Sequence, residues 1–173
     1  MWHEERLLID GGLRPAEGGA TYPVENPGTG ATLGSAADAS PADVEAALAA
    51  ARRTFDEGGW AADVDLRVRC LRQLHEALVE HAEELTVLTI AEVGAPRSAC
   101  DTVQLGTPTG FVSYFADLAE RYDWTTRLGV ADTLGGPADR WTERRPIGVV
   151  AAISPWNVPH QINLAKVAPA LAA

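Results

Sequence analysis

The chain has 173 residues, 46% hydrophobic and 22% charged, a length and composition that can bury a core and that exclude a disordered polar chain. Its 24 acidic side chains outnumber its 14 lysines and arginines, and the net charge of −10 argues against a nucleic-acid footprint or a polybasic membrane anchor. No stretch has the roughly 18 uncharged apolar residues of a membrane helix, Met1–Arg6 lacks the build of a secretory signal, and two cysteines without a CxxC pair, Cys70 and Cys100, fit a reducing cytoplasm.

In chain order, Leu7–Ile9 before Asp10-Gly11-Gly12 predicts a strand entering a turn, and Tyr22–Glu25 before Asn26-Pro27-Gly28 a second. The two are expected to pair as a hairpin. Ser40-Pro41-Ala42-Asp43 has the form of a helix start, with Ser40 as cap, Pro41 in the first turn and Asp43 answering the cap. Val44, Ala47, Leu48, Ala51 and Phe55 follow at helical spacing until Gly58-Gly59. A second helical stretch opens near Asp65 and carries Leu66, Cys70, Leu74, Ala77, Leu78, Leu85 and Leu88 on one broad face, ending at Gly94-Ala95-Pro96. A third runs from about Ser98 to Tyr122, with a kink or break expected where Gly106, Pro108 and Gly110 interrupt it. Residues 125–146 are turn-rich around Gly135-Gly136-Pro137, and an exposed hairpin or arm fits them best.

The charge pattern then changes. From Pro146 to Ala173 there is no Asp, Glu or Arg, and Lys166 is the single charged residue, so this tail is expected to be core or interface. Ile147–Ile153 is a continuous apolar run of the kind found in a strand buried in a parallel sheet. Parallel neighbours need crossover helices, and only one helix fits between Ile153 and Ala173.

Two patterns lead away from chemistry. Gly28-x-Gly30-x-x-x-Gly34 is close to a dinucleotide fingerprint but follows Asn26-Pro27 rather than a buried strand, which makes it a hairpin turn. His75 and His81 lie six apart and do not share a helix face, so no metal site is expected from them.

The candidate chemistry lies in Ser154-Pro155-Trp156-Asn157-Val158-Pro159, between the apolar run and the helical spacing of Ile162, Ala165 and Lys166. A strand-to-helix turn is where α/β folds place ligands, since helix amides face outward there. Asn157 could offer a neutral amide to a developing oxyanion. The structural alternative is that Pro155 and Pro159 shape the turn and Asn157 caps the helix. Lys166 is the one lysine among the 14 basic residues, which leaves 13 arginines, and a compact ammonium does not exchange freely with a guanidinium. An interhelical salt bridge is its alternative role.

Pro146 to Val150, Ile153 to Pro159, and Lys166-x-x-Pro169-Ala170-Leu171-Ala172-Ala173 resemble the aldehyde dehydrogenase superfamily. Upstream, Asn26-Pro27 with Thr29-Gly30, Asp43-Val44 through Arg52 to Phe55, Trp60, Arg67 and Glu92-x-Gly94-x-Pro96 follow the family order. The resemblance covers nearly the whole chain and about the first third of such an enzyme. It implies an α/β fold: the N-terminal part of a cofactor domain over 1–127, an oligomerisation arm over 128–146, and the first strand and helix of a Rossmann-type sheet over 147–173. By the same resemblance, Asn157 would stabilise the oxyanion formed when a cysteine thiolate adds to an aldehyde. Ile153, Ser154, Pro155, Trp156 and Asn157 would line NAD or NADP, and Lys166 would serve a proton relay. The implied partners are an aldehyde and further copies of the chain, as a homodimer or homotetramer. The family's nucleophilic cysteine, general-base glutamate and phosphate-binding glycines have no counterpart in these residues; Cys70 and Cys100 read as structural thiols. The alternative function is a catalytically inert interaction or oligomerisation module. Ala95, where the family often has lysine, and Pro108, in a region usually written as one helix, depart from the pattern.

Overall fold

The computed structural model describes residues 1–173. The N-terminal strands are β1 (Trp2–Glu4), β2 (Arg6–Ile9), β3 (Gly12–Pro15), β4 (Thr21–Glu25) and β5 (Thr32–Ala37). β2 and β3 form one antiparallel ribbon, while β5 lies between a parallel β1 and an antiparallel β4. The expected pairing of Leu7–Ile9 with Tyr22–Glu25 does not occur. Asp10 (φ 57°) and Gly11 (φ 74°) both take left-handed conformations, which makes a two-residue turn whose twist matches the strands, so β2 closes on β3 before the chain reaches Tyr22. The glycines at 28 and 30 form the β4–β5 connection, where Asn26 Oδ1 accepts from the Gly28 and Thr29 amides at 2.8 and 3.2 Å. Gly34 is needed for another reason: a Cβ there would lie 1.5 Å from the Trp2 carbonyl oxygen on the crossing β1.

Helix α1 (Pro41–Glu57) starts as the sequence predicts. Ser40 Oγ accepts from the Asp43 amide at 3.2 Å, and Asp43 Oδ2 accepts from the Ser40 amide at 3.0 Å. The same oxygen accepts from the Glu17 amide at 2.9 Å, which ties the cap to the strand layer. The single helical stretch expected after Asp65 is two helices, α2 (Val64–Glu80) and α3 (Ala82–Val93), divided at the non-helical His81 (φ −93°, ψ 11°). The break reorients the inner face. α2 buries Arg67, Val68 and Leu71, whereas α3 turns Thr86 and Thr89 inward. The inner line of α2 therefore runs one residue off the predicted Leu66–Cys70 face.

The third helical region breaks as expected, into a short α4 (Arg97–Ala99), a π-turn over Cys100–Gln104, and α5 (Gly106–Arg121). Pro108 falls in the first turn of α5, where its missing N–H costs nothing. β6 (Thr125–Thr133) and β7 (Gly136–Glu143) form an antiparallel hairpin, and α6 (Pro159–Ala172) ends the chain. The core is the junction of α2, α5 and α6: Val68, Leu71, Val112, Ala116, Ala119, Leu164, Ala168 and Ala172. Alanines on α5 and α6 allow the two helix axes to approach closely. No helix is long and apolar enough to cross a membrane.

Ile147–Ile153 does not form the buried strand predicted for it. The run has no regular secondary structure, and Ile147 and Ile153 are 90% and 84% exposed. A strand exists only when a neighbour pairs its backbone groups, and no strand in residues 1–173 pairs with this segment. The uncharged tail is thus divided, since Leu164, Ala168 and Ala172 are core and residues 147–157 are largely open.

Candidate active site

The turn from Ser154 to Val158 bends directly into α6. Val158 is the N-cap residue and supplies no side-chain cap, so Asn157 does not cap the helix. Pro159 at the first helical position brings no N–H, and no side chain caps the start of α6. Asn157 is exposed, and its side-chain amide makes no hydrogen bond within the chain. Ser154 is also open, and the Trp156 ring is 85% exposed.

Two polar residues tie this turn to the rest of the chain. Gln104 Nε2 donates to the Asn157 carbonyl oxygen at 3.1 Å, from the π-turn ahead of α5. His160, in the first turn of α6, bonds through Nε2 to Thr89 Oγ1 on α3 at 3.0 Å. The Thr89 hydroxyl donates to the Leu85 carbonyl at 2.7 Å and therefore accepts from His160, which places the ring proton on Nε2. Burial lowers the His160 pKa, with Glu92 pulling partly the other way. Neither residue is conspicuous in the sequence. The only local sign of Gln104 is its place beside the Leu105-Gly106 helix break.

Lys166 lies seven residues into α6 from Pro159, about 10 Å along the axis, and no hydrogen bond joins it to Asn157. It is exposed, and the ion pairs within residues 1–173 all use Arg or His as the cation. Cys100 is fully buried and burial raises its thiol pKa, the reverse of what a nucleophile needs, while Cys70 is half-buried on α2. Neither approaches the 153–157 turn as a hydrogen-bond partner. His75 bonds to the Thr109 carbonyl and His81 to Glu84, so the two histidines have separate partners.

Arg67 anchors the far end of α6. Its guanidinium donates to the Ala172 carbonyl at 3.0 Å and to the Trp60 and Ala61 carbonyls at 2.8 and 3.1 Å, and it lies 5.3 Å from the Trp124 ring centre.

The 153–157 turn thus carries an exposed asparagine amide, a helix start without a side-chain cap and an open aromatic ring. The aldehyde dehydrogenase family profile matches residues 14–173, and the chain belongs to that family. An aminoacetaldehyde dehydrogenase of Pseudomonas aeruginosa is 37% identical over 171 residues, covering 98% of this chain and 33% of that protein. A 3-sulfolactaldehyde dehydrogenase of Pseudomonas putida is 36% identical, covering 98% of this chain and 34% of that protein. Among solved structures, a Mycobacterium tuberculosis aldehyde dehydrogenase complexed with NAD+ aligns with a TM-score of 0.87 at 33% identity, over 99% of this chain and 35% of that one. The chain spans about a third of the length of the relatives it matches, and its fold is the N-terminal part of the aldehyde dehydrogenase fold.

Proposed function

We propose that this chain is the N-terminal third of an NAD- or NADP-dependent enzyme that oxidises an aldehyde to a carboxylic acid. The free Asn157 amide at the start of α6, in a chain of this family, is the observation that carries the reading. Asn157 donates its side-chain N–H to the oxyanion that forms when a cysteine thiolate adds to the aldehyde carbonyl, and such a donor acts without proton transfer. The nucleophilic cysteine belongs to the enzyme outside these residues, so residues 1–173 alone are expected to be inactive. A nicotinamide cofactor bound to the enzyme would supply the hydride acceptor. The chain's part in holding it falls to the exposed 153–157 turn: outward backbone groups of Ile153, Ser154 and Pro155, the flat Trp156 ring, and the unblocked helix start suit a polar carboxamide and ribose. Lys166 acts one step away, as a proton carrier rather than a direct contact.

The rest of the proposal concerns assembly. Residues 1–127 and 147–173 would belong to the cofactor domain, and 128–146 to an arm through which a homodimer or homotetramer forms. The β6–β7 hairpin exposes Leu128, Val130, Leu134 and Trp141, apolar residues that a partner copy would cover. An apolar groove of about 760 Å³ between α1, α6 and residues 146–152, lined by Ala47, Phe55, Trp60, Val149 and Val167, is the kind of surface that further strands of a complete sheet would fill. The free thiols Cys70 and Cys100 fit a reducing cytoplasm.

Asn157→Ala in the full-length enzyme tests the reading. The expected result is a fall in kcat on the order of 100-fold with NAD(P)H formation as the readout, the usual effect of losing one oxyanion donor. Unchanged turnover removes Asn157 from the chemistry. NAD(P)H formation by residues 1–173 alone, surviving Cys70→Ala and Cys100→Ala, would refute the placement of the nucleophile elsewhere.

A further inference from the structure

We infer that Gln104 is a positioning residue for Asn157, acting through the hydrogen bond from its Nε2 to the Asn157 carbonyl oxygen; this rests on the reading of Asn157 as an oxyanion donor. The bond spans 53 residues of sequence and joins the break between α4 and α5 to the turn before α6. It holds Asn157 by its backbone and leaves the side-chain amide free.

Three observations favour a positioning role over filling of space. Gln104 is buried, and its Oε1 is a buried acceptor with no partner. An orphaned acceptor is a cost that a methionine of the same length would avoid, so the glutamine is favourable only where its donor is used. The local backbone is shaped to deliver that donor. The Leu105 amide bonds to the Cys100 carbonyl at 3.2 Å, five residues back, and this π-turn, a geometry frequent at functional sites, carries Gln104 at its end. Gly106 completes it, since a Cβ there would lie 2.2 Å from the Asp101 carbonyl oxygen. Finally, the His160–Thr89 bond fixes the start of α6 three residues on, so the 157–160 segment is tied at two points, to the π-turn and to α3. A donor that must meet an oxyanion within a few tenths of an ångström gains from such support.

In the full-length enzyme carrying this chain, Gln104→Met keeps side-chain length and removes both amide groups. The expected result is a kcat lower by about tenfold with KM within about twofold, faster amide hydrogen exchange over residues 154–158, and an undiminished Tm because the orphaned acceptor leaves with the donor. In an Asn157→Ala background the same substitution should change kcat by less than about twofold, since the two residues act as a unit. An equal fall in both backgrounds, or unchanged exchange over 154–158, overturns the inference. If Asn157→Ala itself leaves turnover unchanged, the oxyanion reading fails, and the exchange measurement still decides whether Gln104 holds the turn. Should the methionine variant not fold, Gln104→Leu, which also lacks the donor, serves the same exchange measurement.

Discussion

His160 shows how one half-buried side chain couples the candidate site to pH. Its Nε2–H donates to Thr89, and burial holds its pKa below the ordinary 6.5. A histidine whose folded pKa is depressed binds fewer protons folded than unfolded, so its neutral form favours folding above pH 6.5. That contribution is lost as pH falls below 6.5 toward the lower folded value. Urea midpoints measured at about pH 7.5 and about pH 5.5 should show a loss of stability on acidification that His160→Gln reduces. An unchanged difference between the two pH values would mean that His160 does not titrate against folding. At this scale Asn157 stood out as a candidate because it sits in a dense motif between two prolines. Gln104, Thr89 and His160 did not, because each acquires its role from a partner 53 or 71 residues away.

Secondary-structure elements were legible where the chemistry that ends them is local. Ser40, Pro41 and Asp43 lie within four residues, and the start of α1 follows from them. Ser40→Ala should lower stability by about 1 kcal/mol in thermal or urea unfolding, as for other lost N-caps. Asp43 adds an acid-sensitive component. The Glu17 and Ser40 amides hold its carboxyl below the usual range, so its contribution is complete at neutral pH and is lost as pH falls through that lowered value. The division of α2 from α3 escaped prediction because no glycine or proline stands at His81. The break there serves tertiary packing, turning Thr89 toward α6. The β2–β3 hairpin was missed for a simpler reason: β3, Gly12–Pro15, ends in proline and has no alternating pattern of its own.

For the molecule as a whole, Arg67 is the long-range tie. It is 2% exposed, and its three carbonyl partners come from the α1–α2 connection and from the last turn of α6, 105 residues away. A cation at a helix C-terminus is also favoured by the helix dipole. Arg67→Met should cost about 3 kcal/mol, because buried carbonyls would lose charged donors, and should loosen α6, seen as faster hydrogen exchange over residues 164–172. A Tm within about 2 °C of wild type would contradict this. The sequence by itself determined the α/β class, the capped start of α1, the helical regions in outline, the β6–β7 hairpin, and the motif that points to an aldehyde dehydrogenase, because these depend on residues within a few positions of one another. Tertiary structure alone decided which face of α2 is buried, how Gln104 and His160 hold the Asn157 turn, and what becomes of Ile147–Ile153. That apolar run has the composition of a buried strand, but a strand is a pairing of two segments. With no strand paired to it, the same run stays irregular and largely exposed beside β2, α1 and α6.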